Sequence, residues 1–240
     1  MRIFVTGTDT DIGKTVITAG LAAVMQSLGY KAGVYKPFQT GAEEKNGFLH
    51  SPDLAYVKHI DNYVETRSSY LFETPAAPYV AALAEGKQVN LSNITHDFQS
   101  LKQNCEVVLV EGAGGLMVPV CPEKTMADIA KLIDTPILIV ARPDLGTINH
   151  TLLTINYAKS IGLDIAGVII NKYPEGTDDI AIRTVPRLLE EYSDVNILGI
   201  VPYLHFFEAT KPGEIINVLL NSVDIEKIFR IKIPKLNLNL

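Results

Sequence analysis

No apolar run in this chain approaches the length needed to cross a bilayer. The amino terminus passes from Met1 and Arg2 directly into a strand, without a signal-peptide pattern. Only two cysteines occur, Cys105 and Cys121, and their spacing suits neither a metal site nor a redox pair. That scarcity excludes a disulfide scaffold and points to a reducing compartment. There is no excess of positive charge; the net charge is −6, so a nucleic-acid surface is not indicated. Internal repeats, low-complexity tracts and linkers are also missing. The expectation is a soluble cytoplasmic protein that binds neither membrane nor nucleic acid. Its 240 residues, 47% apolar, suffice for one large α/β domain or two small ones.

What is present begins at the amino terminus. Ile3, Phe4 and Val5 read as a buried strand. Thr6 to Thr15 form a loop holding Gly7 and Gly13 and ending in Lys14-Thr15. The residues after it space their apolar side chains as a helix does, at Val16, Ala19, Ala23, Val24 and Leu28. A glycine-bearing turn that feeds a helix aims backbone N–H groups into one concavity, where the helix dipole adds positive charge. Lys14 supplies a full charge there, and Thr15 a hydroxyl suited to Mg²⁺. This is a polyphosphate site of P-loop type. The match is imperfect, because Thr8 holds the usual first glycine position and Gly7 lies one residue earlier.

Further along, strands are expected over Ala32 to Lys36, Glu106 to Val110, Ile137 to Val140, Ile165 to Ile170 and Ile197 to Val201. Helices are expected from Asp53 through Ile60, over Tyr79 to Ala84, and after Ser92 as a cap for Ile94, Phe98 and Leu101. Others fall over Met126 to Leu132, Ile148 to Ile161, and Asp178 to Glu191 with a kink at Pro186. Phe38 to Pro52 reads as irregular and Tyr63 to Pro78 as a long connection. The strands are unbroken apolar runs, which fits a mostly parallel sheet with helices on both faces. Residues 1–222 are taken as one P-loop α/β domain. Residues 223–240 are taken as a basic tail or edge strand, from the partly alternating Ile228 to Leu236.

In an open parallel sheet, ligands sit at the carboxyl ends of the strands. Glu111 follows four apolar strand residues and precedes Gly112-Ala113-Gly114-Gly115. It can add a hard oxygen ligand to a metal held by Thr15, or it can cap a helix. Asp53 stands evenly between metal ligand and helix N-cap. Lys36 ends an apolar strand, and a second lysine beside Lys14 exceeds what a nucleotide needs. Either it serves a second anionic group or it is a surface lysine before Pro37. Asn171 and the Pro202-Tyr203-Leu204 segment follow two other strands.

Together these segments resemble the dethiobiotin synthetase family, the ATP-dependent ligases of biotin synthesis. The resemblance is carried by Val5 to Thr15, Tyr35-Lys36-Pro37, Ser51-Pro52-Asp53, Glu73 to Pro78, Val108 to Gly115, and Leu145 to His150. It runs from the first strand to about Leu204. It implies ATP and Mg²⁺ as cofactors, and 7,8-diaminononanoate and CO₂ or bicarbonate as substrates. One amine takes up CO₂ as a carbamate, the carbamate attacks the γ-phosphate, and the second amine closes the cyclic urea.

It further implies that Lys14 and Lys36 are catalytic, the first on the transferring phosphoryl and the second on the carbamate. Thr15, Asp53 and Glu111 hold the metal. Asp11, Ile12, Gly13, Val16, Gly112, Ala113 and Gly114 lie along the nucleotide, and Asn171, Lys172, Pro202, Tyr203 and Leu204 around its base. Thr10 and Thr40 face the carbamate or amine end. Gly146, Thr147, Ile148 and Asn149, at a helix start, receive the substrate carboxylate from a second subunit of a homodimer. The chain departs from the family's usual residues at Asp11, Thr40 and Tyr79.

Three other classes are weaker. A partition-type P-loop ATPase usually has an extra lysine early in the loop, and Thr8 to Ile12 contain none. A ligase acting on a large corrinoid acid brings a glutaminase domain for which this chain is too short. A regulator that only switches on nucleotide has no use for Lys36.

Overall fold

The computed structural model describes residues 1–204 and 211–233. In chain order, β1 (Arg2–Gly7) leads through the loop into α1 (Lys14–Ser27), then β2 (Ala32–Thr40). A small hairpin follows, β3 (Glu43–Lys45) and β4 (Phe48–His50), then α2 (Pro52–Ile60) and β5 (Glu65–Phe72). Next come α3 (Pro78–Ala84), α4 (Leu91–Asn104) and β6 (Val107–Gly115). A second hairpin, β7 (Pro119–Cys121) and β8 (Lys124–Thr125), precedes α5 (Met126–Ile133), β9 (Ile137–Ala141) and α6 (Thr147–Ser160). The rest is β10 (Ile165–Tyr173), α7 (Ile180–Arg183), α8 (Val185–Ser193), β11 (Ile197–Pro202), α9 (Pro212–Ser222) and α10 (Ile225–Phe229).

Seven strands form one parallel sheet in the order β11-β10-β9-β1-β6-β2-β5. Two apolar layers cover it. One gathers Val5, Leu109 and Leu138 with α1, α2, α9 and α10. The other gathers Phe4, Val110 and Ile139 with α3, α4, α5 and α6. The inner strands β1, β6, β9 and β10 read as unbroken apolar runs because they are packed on both faces, whereas β11 and β5 form the two edges. Helix α1 is buried on nearly every side from Val16 to Met25, as a helix that is apolar all round must be. The central strand β1 has β6 on one side and β9 on the other, so the order reverses around it. Ligands bind such sheets at that reversal, beyond the strands' carboxyl ends.

Several expectations need correction. The stretch read as a connection contains β5, an edge strand whose Arg67 and Ser69 bond to Asp97 of α4. Strand β2 runs on to Thr40 because Phe38, Gln39 and Thr40 pair with Tyr70, Leu71 and Phe72 of β5, and a hairpin occupies part of the segment read as irregular. Asn90, not Ser92, caps α4, its side chain accepting from the Ser92 amide. Pro186 does not kink one helix. It lies in the first turn of α8, where its missing N–H leaves no bond unmade. Glycines 112, 114 and 115 continue β6 rather than turning away from it.

At the carboxyl end, Ile225, Ile228 and Phe229 belong to α10 and are buried against the α1 layer. Residues 231–233 carry no strand, and the Pro234 to Leu236 part of the proposed basic segment lies outside the described residues. No described helix is long and apolar enough to cross a membrane.

Candidate active site

The carboxyl ends of β1, β2, β6 and β10 open onto a cleft of about 550 Å³. The phosphate loop forms its floor. Gly13 adopts φ +88° at the start of α1, and a side chain there would place Cβ 2.1 Å from Asn171 Nδ2. Asn171 in turn donates to the Ile12 carbonyl at 2.8 Å, tying β10 to the loop. Lys172 makes a second tie through its ammonium to the Asp11 carbonyl. The displaced first glycine now has a reason. A Cβ on Gly7 would lie 2.7 Å from Ile12 Cδ1 and 2.8 Å from the Asp9 carbonyl. In this longer loop the close approach falls on position 7, so Thr8 is free to carry a side chain.

Sheet register brings the charged residues together. Val5 of β1 is level with Glu111 of β6, and Tyr35 of β2 is level with Val110. Lys36 therefore emerges beside Glu111. Its buried ammonium donates to Glu111 Oε1 at 2.7 Å and pairs with Asp53 of α2. Thr15 Oγ1 donates to the same Glu111 Oε1 at 2.8 Å. Glu111 Oε2 is buried and has no hydrogen-bond partner among the described residues. Lys14 is 8% exposed and its ammonium rests on the Asp9 carbonyl at 3.0 Å. Asp53 is not the N-cap of α2. Ser51 is, accepting from the Leu54 amide at 3.1 Å, and this leaves the Asp53 carboxylate for Lys36.

Burial dominates the electrostatics here. It pushes the Glu111 carboxyl above its ordinary value, against the Lys36 charge and with help from Asp53. It also pulls on Lys36, but Glu111 and Asp53 together outweigh it and hold this ammonium above the ordinary lysine value. Lys14 is lowered, first by burial and then by the nearby Lys36 charge, with Glu111 opposing. A lysine lowered in the folded state costs stability while it stays charged. That cost disappears as pH rises from the folded-state value towards 10.5, the ordinary one. Lys14→Met is therefore expected to raise the melting temperature of the nucleotide-free protein by about 3 °C near pH 7, for roughly 1 kcal/mol. The gain should shrink near pH 10 and be readable by scanning calorimetry at both values.

Of the residues named from sequence, Thr10, Asp11, Gly13, Lys14, Thr15, Val16, Lys36, Thr40, Asp53, Glu111, Ala113, Gly114, Asn171, Lys172, Tyr203 and Leu204 all line this cleft. Ile12 lies beneath it with its side chain buried, and Gly112 packs against Phe4. Pro202 lines a different, shallower hollow beside α9. Gly146 to Asn149 start α6 and do not reach the cleft of the same chain; the Thr147 side chain is buried, its hydroxyl 3.5 Å from that of Thr151. Phe38, Gln39 and Tyr56 line the cleft but were not singled out. Phe38 falls in the stretch read as irregular, and Tyr56 lies between the apolar helix positions Leu54, Val57 and Ile60. Gln39 lies in the same stretch read as irregular and carries no signal of its own in the sequence.

A family model described as an AAA domain matches residues 1–211. Among solved structures, the chain is similar to the MinD cell division protein of Aquifex aeolicus, with a TM-score of 0.59 at 15% identity over 97% of this chain and 98% of that one. It is also similar to Pyrococcus horikoshii MinD complexed with Mg-ADP, with a TM-score of 0.56 at 16% identity over 95% and 94%. These likenesses establish the P-loop fold. Sequence relatives are much nearer. The ATP-dependent dethiobiotin synthetase of Bacillus subtilis strain 168 is 41% identical over 84% of this chain and 87% of its own length. That of Bacillus licheniformis is 38% identical over 94% of both. At these identities and spans, the chain belongs to the ATP-dependent dethiobiotin synthetase family.

Proposed function

We propose that this protein is an ATP-dependent ligase that closes the ureido ring of dethiobiotin from 7,8-diaminononanoate and CO₂. The observation that carries the reading is the pair of buried lysines lining one cleft. Lys14 belongs to the phosphate loop, whereas Lys36 stands on another strand and is held by Glu111 and Asp53. One cation for the nucleotide's phosphates and a second for a CO₂-derived anion fit a reaction that joins the two. The names of the relatives support the same activity.

In this reading ATP is a substrate and its phosphates lie on the loop amides at the start of α1. One amine adds to CO₂ and loses a proton, giving a carbamate. Lys36 faces that anion, and Thr10 and Thr40 offer hydroxyls to the same end of the substrate. A carbamate oxygen displaces ADP from the γ-phosphorus, while Lys14 offsets charge on the transferring phosphoryl. The second amine then attacks the carbamoyl carbon, phosphate leaves, and the ring closes with loss of a proton.

A Mg²⁺ ion fits the donor set. Glu111 presents a buried oxygen with no hydrogen-bond partner among the described residues, Thr15 a hydroxyl, and Asp53 a carboxylate that shares Lys36 with Glu111. Two carboxylates and a hydroxyl leave several positions for water and phosphate oxygens, which is how Mg²⁺ is usually held. When bound, the ion supplies charge neutralisation at the phosphates. The substrate carboxylate is assigned to the start of α6 in a second copy of the chain. The exposed Leu145 and Leu153 on and beside that helix support an association there.

Phosphate release from ATP should require diaminononanoate and bicarbonate together, with dethiobiotin identified by mass spectrometry. Release at an unchanged rate with neither present would instead favour a partition-type ATPase switch. The loop carries no early lysine to support that alternative.

A further inference from the structure

Asp53 does not reach Lys36 by the packing of its helix alone. The body of α2 is fixed in the core by Leu54, Val57 and Ile60. Its first turn, from which Leu54 packs inward, follows the β3–β4 hairpin, whose side chains are mostly exposed. The cap residue ahead of that turn is also tied back to β2 by a chain of hydrogen bonds. The Ser51 hydroxyl donates to Gln39 Oε1, and the Ser51 oxygen accepts from the Leu54 amide at 3.1 Å. Gln39 Nε2 donates to the Thr40 carbonyl at 2.8 Å, which fixes the orientation of the amide. Both residues are buried, Gln39 to 4% exposure and Ser51 to 9%.

The strand is shaped to present Gln39 this way. Side chains alternate along β2, with Val34 on the α1 layer and Tyr35 on the other. By that alternation Phe38 would fall on the α1 side and Gln39 opposite. Instead Phe38 packs in the layer with Tyr35, stacked on Tyr70 at 5.5 Å, and Gln39 meets Ser51 on the α2 side. The slip occurs across Pro37, which has no N–H to give to the sheet. A buried glutamine thus lands next to the cap of the helix that carries Asp53.

We propose that Gln39 and Ser51 form a positioning clasp. It closes the neck of residues 40–50 and sets the first turn of α2 so that the Asp53 carboxylate stays on the metal and Lys36. Neither residue is asked to touch the reacting atoms. The clasp rests on the reading of this cleft as a metal and nucleotide site. A partner that orients a metal ligand from behind typically governs affinity by about 10- to 100-fold. Asp53 is partly exposed, so the lower end applies.

The test uses the full chain with Mn²⁺ as probe and ADP present, counting unbound Mn²⁺ by electron paramagnetic resonance. Gln39→Met keeps the volume and removes the hydrogen bonds; Ser51→Ala removes the hydroxyl. Each should weaken Mn²⁺ retention about tenfold, while Ser51→Thr, which keeps a hydroxyl, should stay within about twofold of wild type. In an Asp53→Asn background neither substitution should weaken retention further, because the ligand they position is already gone. A general structural role would instead cost the same factor in both backgrounds, and that result overturns the clasp. So does unchanged Mn²⁺ retention in both variants. If one variant fails to fold, the other carries the same comparison. Loss of Mn²⁺ retention by the wild-type protein itself overturns the underlying reading and the clasp with it; intact wild-type retention with unaffected variants overturns the clasp alone.

Discussion

Lys36→Met is expected to lower ring closure by about a thousandfold while ATP binds with near wild-type affinity. The separation follows from where the ammonium sits. Lys36 comes from β2, and its recorded partners are Glu111 and Asp53, whereas the loop amides and Lys14 come from β1 and α1. Removing Lys36 leaves the phosphate cradle whole and takes away the cation assigned to the carbamate. It also leaves two carboxylates facing each other without a cation between them. Breaking a buried pair from one side costs about 3 kcal/mol.

The sign of the pH dependence is fixed by the remaining acid. Glu111 is already raised by burial and by Asp53, and loss of the Lys36 charge raises it further. A carboxyl raised in the folded state favours folding below the ordinary carboxylate range and loses that contribution as pH rises through its folded value. The variant should therefore be most destabilised near pH 8 and recover towards pH 5. Calorimetric titration with ATP, a product assay, and denaturant melts at the two pH values check the three parts. Loss of ATP binding in step with turnover would place Lys36 on the nucleotide instead.

Much of this arrangement is legible in the chain, and the gaps have physical causes. Strands β1, β6, β9 and β10 read as apolar runs because they are covered on both sides, and edge strand β11 still shows an apolar run although Ile200 is exposed. Edge strand β5 does not, since seven of its eight residues are only half-buried and its Arg67 and Ser69 meet Asp97 through polar bonds. Helix α9 was passed over although Ile215 and Leu219 stand one turn apart and pack on Gly20 of α1. Lys36 and Glu111 were visible as charges directly after apolar strand residues. Asp53 was ambiguous because Ser51 and Asp53 are both good caps; only the observed Ser51 to Leu54 bond decides between them. Gln39 was invisible, since its function depends on a one-residue slip at Pro37 that no periodicity records.

Glu111→Gln is expected to lower turnover, as Lys36→Met does, while leaving stability close to that of wild type. Glu111 Oε1 collects Lys36 and Thr15, and Oε2 is buried with no partner among the described residues. The amide keeps the shape. It cannot offer two anionic oxygens, so the Mg²⁺ site proposed above would lose its buried carboxylate, and turnover should fall roughly a hundredfold or more. Folding is another matter. Burial makes the ionised carboxyl unfavourable here, as its raised value states, and the amide removes that cost. Lys36 keeps Asp53 as a counter-charge. The two effects oppose, and the melting temperature should stay within about 3 °C of wild type. Raising Mg²⁺ should restore part of the lost activity in Glu111→Gln and none in Lys36→Met. A Glu111→Gln protein that melts far below wild type would mean that the carboxylate holds the cleft together. A variant with full activity at ordinary Mg²⁺ would remove Glu111 from the metal.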